Sequence, residues 1–231
     1  MHVPDGFLNA PTWVATGVVA AAGVGFALRK ARSELDDRTA PMAGLVAAFI
    51  FAAQMINFPV GAGTSGHLLG GALAAVLVGP WTAVLCVSVV LLVQALFMAD
   101  GGVTALGTNI TLMALVGALV GYAIFRLACA VLPKRLGVVP LAAAIAALVS
   151  VPIAAAGFTL LFAIGGTADI AIGKVLTAMV GWHIVIGIGE AVVTALVVSA
   201  VVASRPDLVY GARSLVAQRP GLRTEGTEVT A

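Results

Sequence analysis

Apolar positions in this chain come in long unbroken blocks rather than in alternation, and short stretches rich in glycine, proline and charge separate them. A helix needs about 20 apolar residues to cross a bilayer. Blocks near that length fall at residues 11–28, 41–58, 67–79, 81–98, 105–132, 139–164 and 180–203, the third of them short for a full crossing. No repeated strand-like alternation suits a membrane barrel. The pattern therefore predicts an all-α integral membrane protein of about seven transmembrane helices. The connectors are RKARSELDDR (29–38), PVGAGTSG (59–66), the GPW turn (79–81), ADGGV (99–103), PKRLGVV (133–139) and GGTADIAIGK (165–174). After Ala203 the sequence turns polar, so residues 1–203 read as one transmembrane domain and 204–231 as a flexible polar tail. Pro152 predicts a bend in the sixth block, and the many glycines and alanines predict close helix packing.

Composition agrees with the pattern and charge adds direction to it. Hydrophobic residues make up 61% of the 231 and charged residues 10%, with a mean hydropathy of +1.12; a soluble domain carries about 25% charge. Basic loops stay on the cytoplasmic side. With the N-terminus outside, Arg29, Lys30, Arg32 and Arg38, then Arg126, Lys134 and Arg135, then Arg205, Arg213, Arg219 and Arg223 all fall inside. Of the 12 Lys and Arg residues only Lys174 falls outside, which predicts N-out and C-in for a multi-pass protein of the cell membrane. The first cation, Arg29, follows the first apolar block rather than preceding it, so the opening does not read as a cleaved leader. A net charge of +2, confined to loops and tail, does not point to nucleic acid. Cys86 and Cys129 both sit inside apolar blocks, which supports neither a disulfide nor a thiolate metal site. Gly173-Lys174 is followed by Val175 and lacks the spacing of a phosphate loop, so this chain does not hydrolyse ATP itself.

The predicted topology puts all three histidines, His2, His67 and His183, on the outer side. In the opening MHVPDGFL, the Met1 amine, the His2 amide nitrogen and the His2 Nδ1 can close a five- and a six-membered chelate ring on one cation. Deprotonating the amide takes a strongly polarising late first-row metal, and a planar set of nitrogens suits Ni(II) or Cu(II). His67, after a glycine-rich loop, is the candidate fourth nitrogen. His183, beside Trp182, has either an interfacial packing role or a supporting or gating one. Glu190, two turns deeper on the same face, calls for an interior hydrogen-bond partner. Asp100 tightens the turn before the fifth block or supports the site. Asn109 points into the early helix or orients an imidazole, as groups around metal ligands do, and Asp5 makes the turn into the first block. Two other readings stand beside metal capture. Gly63-Thr64-Ser65-Gly66 fits the GxSG pattern of rhomboid intramembrane proteases, with Ser65 as nucleophile and His183 as base. A non-catalytic scaffold assembled through small-residue helices needs neither.

Four blocks, MHVPDGFL, GTSGHLLGGALAAVLVGPW (63–81), QALFMADGGVTALGTN (94–109) and HIVIGIGEAVVTA (from His183), resemble the CbiM/NikM family in order and over roughly residues 1–203. Members are the substrate-capture membrane subunits of energy-coupling-factor (ECF) ABC transporters for cobalt and nickel, some serving cobalamin synthesis. The resemblance implies a seven-helix fold with its N-terminus tucked inward, and metal held by the Met1 amine, the His2 amide and imidazole, and His67. Apart from the resemblance, Ser65, Asp100, Asn109 and His183 are the candidates for supporting or gating roles around such a site. The resemblance also implies a transmembrane coupling subunit, a cytoplasmic ATPase and a small accessory membrane subunit, with Co(II) or Ni(II) as cargo and no catalytic cofactor.

Overall fold

The computed structural model describes residues 1–36, 39–61 and 64–218. Arg38, Gly63 of the GxSG pattern, Arg219, Arg223 and the rest of 219–231 lie outside the described residues. The chain is a helical bundle: α1 (Ala10–Lys30), α2 (Ala40–Gln54), α3 (Gly71–Val78), α4 (Pro80–Phe97), α5 (Leu106–Val131), α6 (Val139–Gly165), α7 (Ile172–Ser204) and a short α8 (Arg213–Ala217). Among the described residues five helices, α1 and α4 to α7, are long and apolar enough to cross a membrane, and α2 is a shorter apolar helix. This is a multi-pass membrane protein. Valines and leucines such as Val18, Leu45, Leu96 and Leu196 are exposed around the bundle, as lipid contact requires.

The third block departs from a full span. Only α3 is helical there, about 12 Å long at 1.5 Å per residue, and all eight of its residues are buried. Gly79, at φ +99°, breaks the chain before Pro80, whose ring cannot continue a helix, and α4 starts afresh. That break exposes the N-terminal amides of α4, which Glu34 caps. Its carboxylate accepts from Thr82 N (2.7 Å), Thr82 Oγ1 (2.9 Å) and Trp81 N (3.2 Å). Glycine lets α3 sit at the centre: a Cβ on Gly71 would lie 2.7 Å from the Gly117 carbonyl carbon on α5. Helix α5 carries a π-helical stretch at Ile110–Val116. Pro152 lies inside α6 and leaves the Leu148 carbonyl without its helical donor; Gly187 of α7 packs there, with room for no more than about a hydrogen, since a Cβ would come 3.0 Å from Leu148 O.

The connector at 59–66 contains an antiparallel hairpin, β1 (Phe58–Gly61) with β2 (Thr64–Gly66), pairing Phe58 with Gly66 and Pro59 with Ser65. At the other end of the bundle, residues 205–217, read from sequence as the start of a tail, form two 3-10 turns and α8, with Val209 and Ala212 fully buried.

Candidate functional site

Residues 1–9 do not lead into the bundle from outside. They thread into one end of it, with Met1 and Val3 fully buried and His2 at 4% exposure. Two connectors and Asn109 of α5 hold the segment. Asn9 N donates to Gly165 O (2.7 Å) and Thr167 N to Phe7 O (3.1 Å), fixing its outer part to the loop after α6. Asp5 accepts from Thr104 N (2.8 Å), Val103 N (3.2 Å) and the Thr104 hydroxyl (2.5 Å), contacts that hold its carboxyl below the usual range. Val3 is gripped on both backbone groups: its N–H donates to Asn109 Oδ1 (2.7 Å), and its C=O accepts from Gly102 N (2.9 Å) and Asn109 Nδ2 (3.2 Å). The ADGGV turn reaches this position through Ala99 and Gly101, at φ +52° and +89°. A Cβ on Gly101 would lie 3.0 Å from both the His2 ring and the Asn109 amide.

These anchors bring Met1, His2 and His67 together. The Met1 amine lies 2.7 Å from His67 Nε2, and the rings of His2 and His67 stand 4.5 Å apart, tilted by 30°. His67 is 1% exposed and its Nδ1 is 2.8 Å from Leu68 O. A carbonyl can only accept, so Nδ1 carries the proton and Nε2 presents its lone pair toward Met1. Burial pushes the amine down to about 4, against an opposing pull from Asp100. At neutral pH it is a neutral amine able to donate one proton to His67 while keeping a lone pair of its own. His2 Nε2 is 3.2 Å from Gln94 Oε1 and its Nδ1 is 3.0 Å from Asp100 Oδ1. Burial lowers the His2 pKa, while Asp100 beside it pulls the other way and is itself held below the usual carboxylate range by His2. Asn57 Nδ2 donates to the other Asp100 oxygen at 3.1 Å.

The loop after His67 is fastened from two helices. Leu69 N (2.6 Å) and Gly70 N (3.0 Å) donate to the two oxygens of Glu190 on α7, and Gln54 Nε2 on α2 donates to Leu69 O (2.8 Å). Glu190 and Gln54 are 2% and 0% exposed. His183 is fully buried, with Nδ1 2.7 Å from Met179 O and no hydrogen-bond partner at Nε2. The geometry thus makes no hydrogen bond from His183 to Ser65, which lies on β2 opposite Pro59. Asp100 and Asn109 both touch the N-terminal segment. Gln94, Gln54, Asn57 and Thr104 are among the site residues that sequence reasoning did not single out; the glutamines were visible as amides inside apolar blocks, a signal in its own right.

Replacing Asn109 with Ala is expected to strand the buried Val3 N–H, at about 1–3 kcal/mol. Hydrogen exchange at Val3 should then accelerate by roughly tenfold or more, and unchanged exchange would mean that Asn109 does not hold the segment.

Among the described residues no group of three or more His, Cys, Asp or Glu side chains is placed to hold a metal ion. A protein of Haloquadratum walsbyi whose name assigns it provisionally to metal transport is 41% identical over 214 residues, 91% of this chain and 94% of its own. The fused nickel transport protein NikMN of Rhodobacter capsulatus is 43% identical over 127 residues, 55% of this chain and 37% of that protein. A crystal structure of a truncated transition metal transporter superposes with a TM-score of 0.80 at 32% identity, covering 88% of this chain and 99% of that one. The family described as the cobalt uptake substrate-specific transmembrane region matches residues 2–208, and the chain belongs to that family, CbiM.

Proposed function

We propose that this chain is the metal-capturing subunit of an ECF-type ABC importer for Co(II) or Ni(II). The ion is held by the Met1 amine, the His2 amide nitrogen and Nδ1, and His67 Nε2. The observation that carries the reading is a fully buried chain terminus 2.7 Å from a histidine nitrogen whose other ring nitrogen is committed to a carbonyl. Nothing in packing alone requires a terminal amine to be taken out of water and to give up its charge. Three of the four nitrogens come from two adjacent residues, and such a planar set suits Ni(II), while availability in the cell decides between nickel and cobalt.

In this reading Gln94 holds the His2 ring through Nε2 while the ion takes the Nδ1 that otherwise lies against Asp100, Asn109 and Asp5 hold the backbone behind it, and Glu190 with Gln54 holds the loop behind His67. The site faces outside and the basic end faces the cytoplasm. A transmembrane coupling subunit, an ATPase on a separate chain and a small accessory membrane subunit complete the importer, since this chain carries no nucleotide-binding loop. Residues 1–203 form the capture domain and 204–231 a cytoplasmic extension.

Metal binding displaces protons, because each donor nitrogen must be unprotonated to coordinate. The sign follows directly: affinity is highest in mild alkali and falls as pH is lowered. One amide proton released per ion gives about a tenfold loss per pH unit. Calorimetry of Ni(II) and Co(II) binding across that range, in buffers of different ionisation enthalpy, counts the protons. Tight binding with no proton release and no pH dependence would remove the amide from the ligand set.

A further inference from the structure

The end of the bundle opposite the N-terminal site holds a cavity of about 540 Å³ between α5, the loop before α6 and the segment 210–218, with Ser33, just past α1, on its wall. Four cations line it, Arg126, Lys134, Arg135 and Arg213, and among the described residues no Asp or Glu does. Two tyrosines, Tyr122 and Tyr210, also line it, their rings 6.0 Å apart. The Arg213 guanidinium lies 4.8 Å from the Tyr210 ring centroid, which fixes that cation at the rim. The wall formed by residues 210–213 is packed in place: Ala212 is fully buried, and a Cβ on Gly211 would come 2.7 Å from the Phe125 ring.

Among the described residues none of these four cations has an ion-pair partner within 4 Å, and like charges so gathered repel one another, so such a cluster calls for an anion. Its position says which kind. The cavity lies where α5 ends and α6 begins, and the helix faces beside it carry exposed apolar side chains, Leu127 (68%), Val131 (84%) and Leu141 (52%). A ligand with a phosphate at one end and hydrocarbon at the other satisfies both surfaces. Arginine pairs and tyrosine hydroxyls suit phosphate oxygens, and basic pockets between membrane helices take anionic headgroups.

We propose that this cavity binds the phosphate headgroup of an acidic phospholipid, with its acyl chains along the Leu127–Val131 face. The site is independent of the metal site and of the function proposed for it.

Native mass spectrometry of the purified full chain, equilibrated in detergent with equal amounts of phosphatidylglycerol and phosphatidylcholine of matched acyl chains, tests it. A single phosphatidylglycerol adduct is expected in about tenfold excess over phosphatidylcholine, since each basic side chain near an anionic headgroup adds roughly a several-fold preference. The excess should fall to near unity in Arg126→Gln/Arg213→Gln, persist in Arg126→Lys/Arg213→Lys, and persist in Arg29→Gln, a basic residue outside the cavity. Arg126 is exposed, so Arg126→Gln alone leaves the fold intact and should give an intermediate ratio. Equal retention of the two lipids, or an excess that survives loss of both arginines, would overturn the proposal. Displacement of the adduct by millimolar inorganic phosphate would overturn it too, by assigning the site to a soluble anion.

Discussion

Adding one residue ahead of Met1 is expected to lower affinity for Ni(II) and Co(II) by at least about 100-fold, beyond the 10–100-fold typical of changes that only disturb a ligand's surroundings. The extension converts the terminal amine to an amide, which removes a lone pair from the donor set. It also has no space to occupy, because Met1 is fully buried and its nitrogen lies 2.7 Å from His67 Nε2. Both effects act at the same atom, and Nα-acetylation should reproduce the first with the smallest added volume. Purified proteins with native, extended and acetylated starts, compared by calorimetry, separate the two. If an extended start binds either ion as tightly as the native one, the terminus is not a ligand.

The second large effect is expected at Glu190, far from the terminus in sequence. Its two oxygens take the Leu69 and Gly70 amides, immediately after the Leu68 carbonyl that orients His67. In a dry interior each stranded amide costs about 1–3 kcal/mol, so Glu190→Ala should lower thermal stability measurably and release the loop. Metal affinity should fall by roughly 10–100-fold with it, as for other groups that aim a ligand. Glu190→Gln keeps an accepting oxygen for one amide but sets its NH₂ against the other, and should fall between. A Glu190→Ala protein that loses stability yet binds metal normally would mean that Gln54, through Leu69 O, suffices to position the loop.

Counting apolar residues located the long helices closely, since the energetic rule behind it, backbone satisfaction in lipid, is local to each span. The blocks at 81–98, 105–132 and 139–164 correspond to helices at Pro80–Phe97, Leu106–Val131 and Val139–Gly165. It failed where long-range contacts decide the backbone. His67 to Gly70 looked like the start of a span, but Gly70, at φ +77°, and the Leu69 and Gly70 amides given to Glu190 hold them out of helix. The seventh apolar block begins at 180, whereas α7 starts at Ile172. The stretch before 180 contains Gly173, Lys174 and Thr177, all exposed, so a hydropathy count passes over a helix that still closes its own backbone bonds.

The site divides in the same way. His2 and His67 were legible as ligand chemistry, and Asn109 and Asp100 as neighbours, because the residue types and the family resemblance name them. That a fully buried terminus meets His67 follows from packing among connectors some 60 to 165 residues away, as at Asn9 with Gly165 and Val3 with Gly102. No local pattern encodes it. Gln94 and Gln54 were legible as misplaced amides, though not as the groups that hold the His2 ring and the His67 loop.

The most direct test is equilibrium binding of Ni(II) to the purified protein with its native Met1, by calorimetry and visible absorption, beside His67→Ala. The account predicts tight binding of one ion by the native protein, with the absorption of a planar nitrogen set, and loss of both the affinity and that band in His67→Ala. A native protein that binds no Ni(II) or Co(II), or a His67→Ala protein that keeps the same affinity and spectrum, would contradict it.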